Sequence, residues 1–141
     1  MATPTQPRPR NRADIDDAHK WDLTEIFPDW ETWEQARAEL DRRIDDYAAL
    51  KGTLGRGYER MLSAYRLNDE LGQLAYRVYF FVSLKFDEDQ RDNTVNARRQ
   101  QVQALVARWQ QATSWFSPEL LSIPAETARA WMAAHLSLIH I

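Results

Sequence analysis

Cysteine is absent from this 141-residue sequence. That excludes a disulfide framework and a thiolate metal site, and it suits a reducing cytoplasm. Glycine occurs four times and proline six times, with Pro4, Pro7 and Pro9 crowded into the opening residues. Long stretches free of both favour helices over the many turns of a β-fold. No apolar run approaches the roughly 20 residues that a membrane-spanning helix needs. Neither sign of charge dominates: the formal net charge is -3, with acids and bases interspersed. Nothing in that balance draws the chain to nucleic acid or to an anionic membrane, so neither is expected as a partner.

What is present is ordinary for a soluble globular protein, at 44% apolar and 28% charged residues, apart from six tryptophans. Each large side chain buried contributes roughly 1.5–3 kcal/mol, so the tryptophans demand a sizeable core. The opening MATPTQPRPRNRA is basic but has no apolar segment of the kind a secretory signal carries. Residues 1–18 are therefore expected to be a disordered leader, with the ordered lobe covering 19–135. The short apolar segment KWDLTEIFP is expected to lie across later helices and bury Trp21.

Periodicity divides the rest into helices. Asp29 suits an N-cap, and Trp30, Trp33, Leu40, Ile44, Tyr47 and Leu50 follow as one apolar stripe, ending at Lys51-Gly52. After the connector KGTLGRG, a second helix is expected from about Tyr58 to Ser83, with Met61, Leu62, Tyr65, Leu71, Leu74, Ala75, Val78, Phe81 and Val82 on its apolar face. A third is expected to open at Asp87, capped there with Gln90 reaching back, and to run to Trp115 with Val95, Val102, Leu105, Val106, Trp109 and Ala112 on one side. Ser117-Pro118 and Ile123-Pro124 each read as a cap followed by proline, placing a fourth helix from about Pro124, with Ala128, Trp131 and Met132 on one face. The expected fold is all-α: three long antiparallel helices plus the start of a fourth. Helices two and three, at about 40 Å each, are long for an isolated domain.

Leu136 to Ile141 read LSLIHI and break the preceding pattern. One reverse translation of them is the transposon-end adaptor of DNA sequencing libraries. Residues 136–141 are accordingly expected to be adaptor read-through.

Candidate chemistry is sparse. The histidines are His19, His135 and His140, and no H-E-x-x-H motif occurs. No residue qualifies as catalytic or as a metal ligand. Asp87, Glu88, Asp89 and Asp92 lack the spacing of a calcium loop and read as a helix start. The glycines of GTLGRG match neither a phosphate-binding nor a dinucleotide loop. Arg98, Arg99 and Arg108 beside Trp109 come without any RNA-recognition motif. Tyr76, Tyr79, Phe80 and Phe81 read either as a small-ligand wall or as core, the commoner role of aromatics at helical spacing.

The runs KWDLTEIFPDWETWEQA (Lys20 to Ala36) and LNDELGQLAYRVYFFVSLKFDEDQRDNTVNARRQQVQALVARWQQATSWFSPELL (Leu67 to Leu121), with the helix start after Ile123-Pro124, resemble the N-terminal lobe of the oligoendopeptidase F family of M3 metallopeptidases. The resemblance covers Lys20 to Met132 and rests on scaffold motifs. It implies a fragment of a larger all-helical zinc peptidase that cleaves short peptides inside a closed channel. In that family an H-E-x-x-H helix and a later glutamate hold the zinc, and no residue here matches either. The resemblance thus implies zinc and an oligopeptide substrate for the full-length protein, and a channel wall without catalytic residues for this chain. Exposed apolar faces on helices two and four are expected to make the fragment self-associate or be only marginally stable.

Overall fold

Five α-helices account for most of the computed structural model, which describes residues 11–135, and no strand occurs among those residues. The helices are α1 (Trp30–Ala48), α2 (Tyr58–Glu88), α3 (Asn93–Thr113), α4 (Phe116–Ser122) and α5 (Ala125–Ala134). Asp29 caps α1 as its type requires: its carboxylate accepts the Thr32 N–H at 2.7 Å, which holds the carboxyl below the usual range. The chain leaves α1 through Gly52, whose φ of +80° lies in the left-handed region that a side chain would strain.

The contacts of named residues set the directions of the helices. Early in α1, Trp33 touches α2 at Val78, while later in α1 Arg43 reaches back to Glu70, so α1 and α2 run antiparallel. Gly72 faces Trp109 and Phe86 faces Arg99, so α3 is antiparallel to α2 in turn. Parallel alignment of α1 and α3 follows, seen in Trp30 against Arg98 and Asp41 against Arg108. Three long helices therefore form an up-down-up bundle, and the α4–α5 segment returns along the first turns of α2.

Trp33, Leu40, Ile44 and Tyr47 from α1 meet Leu71, Val78, Phe81 and Val82 from α2 and Val102 from α3 in the core. Trp33 is fully buried, and its indole N–H donates to the Val78 carbonyl at 3.0 Å. Trp30 packs edge-on against both Trp33 and Phe81, and Phe81 packs edge-on against Phe27. On the outer side of α1, Glu39 receives both Arg42 and Arg43, and those hydrogen bonds, Arg42's first, lower its carboxyl to about 2.

Several expected boundaries move. Trp21 is 56% exposed; Leu23 and Phe27 of the same segment fill the core position instead. They are the residues that a 3-10 turn at Leu23–Glu25, capped by Asp22, directs inward. The expected cap at Asp87 lies inside the last turn of α2, which continues to Glu88, where Lys85 and Arg12 neutralise the acid at the negative helix end. Asp92 caps α3, accepting from the Thr94 and Val95 N–H groups. Ser117 caps nothing, because α4 begins one residue earlier, and Pro124 takes the cap position of α5 rather than its first helical residue. The described residues also begin inside the segment read as a leader: 3-10 turns occupy Arg12–Asp14 and Asp17–His19, and Arg12 pairs with Glu88 at 2.6 Å. The expectation for 136–141 lies outside the described residues.

The α1–α2 connector is tied to a distant part of the chain. The N–H groups of Gly52 and Leu54 donate to the Glu119 carboxylate at 2.6 and 2.8 Å, and Leu54 is fully buried beneath. Tyr47 underlies the same corner, against Trp115 and Phe116. Burial, with a smaller contribution from Tyr65, pushes its phenol up to about 12.

Four outcomes are expected. Trp33→Phe removes a bonded, buried donor and should cost about 1–3 kcal/mol in urea unfolding. Trp109→Phe deletes an indole N–H that is buried without a partner, and should cost less than about 1 kcal/mol; equal losses in the two variants would contradict this assignment. Glu119→Gln, which leaves one amide oxygen for two N–H donors, should lower stability by about 1 kcal/mol. Because Tyr47 is held neutral with a raised folded pKa, its contribution is complete below pH 10 and is lost as pH rises towards 12. Thermal midpoints should fall across that window, and Tyr47→Phe should fall less steeply.

Candidate functional site

The polar residues singled out in the sequence do not converge. His19 is exposed on its 3-10 turn. His135 closes α5, its ring stacked on Tyr58 with centroids 3.4 Å apart. His140 lies outside the described residues. Among the described residues no group of three His, Cys, Asp or Glu side chains is gathered as a metal site would require.

Each member of the acidic cluster has a separate structural position. Asp87 is exposed, Glu88 meets Arg12 and Lys85, Asp89 holds Arg91 at 2.8 Å, and Asp92 caps α3. The Arg91 guanidinium lowers the Asp89 carboxyl to about 2. The glycine loop does bind an anion through backbone N–H groups, but the anion is Glu119 of the same chain.

The arginines are likewise engaged within the fold. Arg98 lies over the Trp30 ring at 4.2 Å and Arg99 over Phe86 at 3.8 Å. Arg108 forks between Asp41 and Asp45 of α1. These contacts orient α3 on the bundle.

What remains as a site is the aromatic quartet, and the structure splits it. Phe81 is core, whereas Tyr76 is 65% exposed, with Tyr79 and Phe80 beside it. The Tyr76 and Phe80 rings lie 4.2 Å apart, and Tyr79 meets Phe80 edge-on at 5.4 Å. Together with Ala75 and Gly72 they form one wall of a groove of about 320 Å³, and Val106 and Trp109 of α3 form the other. No charged side chain lines it. Such a groove can accept an apolar side chain, but it offers no nucleophile, base or oxyanion donor.

Val106 and Trp109 were expected only on the core side of their helix. The overlooked signal was Gly72, a glycine within a long helical pattern with no turn to explain it. A Cβ at that position would lie 3.7 Å from the Trp109 ring, an ordinary contact distance, so Gly72 marks where α3 packs on the groove floor without being required there.

No protein-family model and no solved structure matches the chain. Curated relatives do. The chain is 32% identical over 117 residues to the group B oligopeptidase PepB of Streptococcus agalactiae, covering 80% of this chain and 19% of that protein. It is 26% identical over 127 residues to the plasmid-encoded oligoendopeptidase F of Lactococcus lactis subsp. cremoris, covering 87% and 21%. With the oligopeptidase PepF of Bacillus subtilis the identity is 23% over 113 residues, covering 80% and 17%. The chain spans about a fifth of the length of these relatives. Along most of its own length, the chain is homologous to the oligoendopeptidase F-like oligopeptidases.

Proposed function

We propose that this chain is the N-terminal helical lobe of a zinc-dependent oligoendopeptidase that hydrolyses short peptides in the cytoplasm. The observation that carries the reading is the match to PepB: 32% identity across 80% of this chain, yet only 19% of the relative. A lobe of that share, with a complete core of its own, fits one part of a larger peptidase.

The described residues do not fit a zinc site, because no set of ligands converges among them. No chemical step is therefore assigned to this chain. In the proposed enzyme the metal and the general base come from an H-E-x-x-H helix and a later glutamate, elsewhere in the polypeptide. The lobe acts by shape: it walls the substrate channel, admitting flexible peptides and holding folded proteins away. By itself it is inactive.

A second reading has one observation in its favour. The uncharged groove of Tyr76, Phe80 and Trp109 fits a free-standing helical module that takes up a peptide or a partner helix.

Sequencing native DNA past the codon for His135 separates the two. The peptidase reading expects a frame that continues into H-E-x-x-H. The full protein should then cleave a fluorogenic peptide and lose that activity to a chelator, while the 141-residue chain cleaves nothing. A native stop codon directly after Ile141 would leave the module reading standing.

A further inference from the structure

The α4–α5 segment is attached to the bundle differently from the three long helices. Neither α4 nor α5 contains a buried residue, whereas α1, α2 and α3 each contribute several to the core. Its ring contacts gather at one corner, where α1 ends and α2 begins: Trp115 on Tyr47, Phe116 on Tyr65, and His135 on Tyr58. Leu121 and Met132 stay exposed. Among the described residues, the only hydrogen bonds that join α4 or α5 to the long helices or their connector run from the Gly52 and Leu54 N–H groups to Glu119.

The connector is shaped for that carboxylate. Gly52 is left-handed, with φ +80°, and Thr53 is right-handed, with φ -117° and ψ -13°. Adjacent residues of opposite hand make a concavity of backbone donors that holds an anion. The Thr53 N–H turns back to the Leu50 carbonyl, and the N–H groups on either side of it face Glu119. Gly52 donates to Oε2 and Leu54 to Oε1, so the carboxylate is seated as a fork.

We infer that α4–α5 is an arm that opens as one unit from an intact bundle, and that Glu119, seated on the connector, is the latch that holds it shut. Opening breaks ring contacts at a single corner and two charge-assisted hydrogen bonds. The Trp33–Val78 bond and the core around it are untouched, and segments with so little buried surface open at the low end of a protein's free-energy range. The hinge is the turn at Ser114, between the last residue of α3 and the first rings of the arm. What the open arm uncovers is Tyr47 and Leu54, both fully buried while it is shut. The inference does not depend on the peptidase reading.

Native-state hydrogen exchange of the 141-residue chain, followed residue by residue by NMR in rising urea, tests it. The amides of Gly52, Leu54, Glu119, Ile123 and Ala128 are expected to share one opening transition, with a lower free energy and a smaller urea slope than the amides at the centres of α1, α2 and α3. Glu119→Gln should speed exchange at the five arm and connector amides about fivefold, because one neutral acceptor replaces two charged ones. It should also shift the Gly52 and Leu54 amide proton resonances upfield, which a loss of stability alone does not do. Leu121→Ala, at an 84% exposed position on the same helix, should change neither reading. If Glu119→Gln loses helix by circular dichroism, Glu119→Asp, which keeps the charge and shortens the reach, supplies the same comparison. Arm amides that open only together with the long helices overturn the inference, as do connector and arm amides that open in separate transitions. So does a Glu119→Gln chain whose arm exchanges at the wild-type rate, or a Leu121→Ala effect of equal size.

Discussion

The Trp33 indole is the constraint around which the bundle is arranged. With no surface left to water, its N–H must find an acceptor in the protein, and it finds the carbonyl of Val78, 45 residues away. That bond fixes how far α1 slides along α2. Once Trp33 is placed, Trp30 one turn earlier is brought edge-on to Phe81, and Phe81 in turn meets Phe27. Arg98 then closes the third side by lying on the Trp30 ring. A single buried donor thereby aligns three helices and the segment that precedes them.

The same cluster explains how α3 packs although its first half, NTVNARRQQ, is mostly polar. Its arginines are not a solvated stripe. They spread over aromatic rings, where the guanidinium covers apolar surface and keeps its edge in water. Arg108 adds a fork between two α1 carboxylates, a geometry a lysine could not reproduce. Exposed ion pairs contribute little individually. Here the Arg108 pairs have a second effect, which is to tie α3 to α1.

Sequence patterns reached the helices more reliably than their junctions. Asp29 and Gly52 could be read locally, because a cap carboxylate and a left-handed glycine act within a few residues of themselves. The D-E-D-Q run misled because an acidic run suits a helix start, and only Arg12 and Lys85, folded nearby, make Glu88 acceptable at a helix end. Trp21 was assigned to the core by its size, although the turn geometry directs Leu23 and Phe27 inward. The contact between Glu119 and the glycine connector spans 67 positions and leaves no periodic trace. The groove was half legible: its tyrosines stood out, but whether they faced core or solvent depended on where Val106 and Trp109 of α3 pack beside them.

The division of labour along α2 accounts for the surface that remains. At 31 residues it is much the longest helix, about 46 Å against about 28 Å for α1. Its first turns are covered from one side by Phe116 of α4, packed on Tyr65, and by His135, stacked on Tyr58. Further along, α1 and α3 cover it from two sides. The Leu23–Phe27 segment covers a third side, with Phe27 on Phe81 and Arg77 donating to the Ile26 carbonyl, and the side left open over Tyr76 to Phe80 is aromatic. Of those rings Tyr76 is 65% exposed and Tyr79 36%, while Phe80 is half-buried between them. On a chain with 28% charged residues, that exposed aromatic stretch is where the bundle leaves the most apolar surface in contact with water.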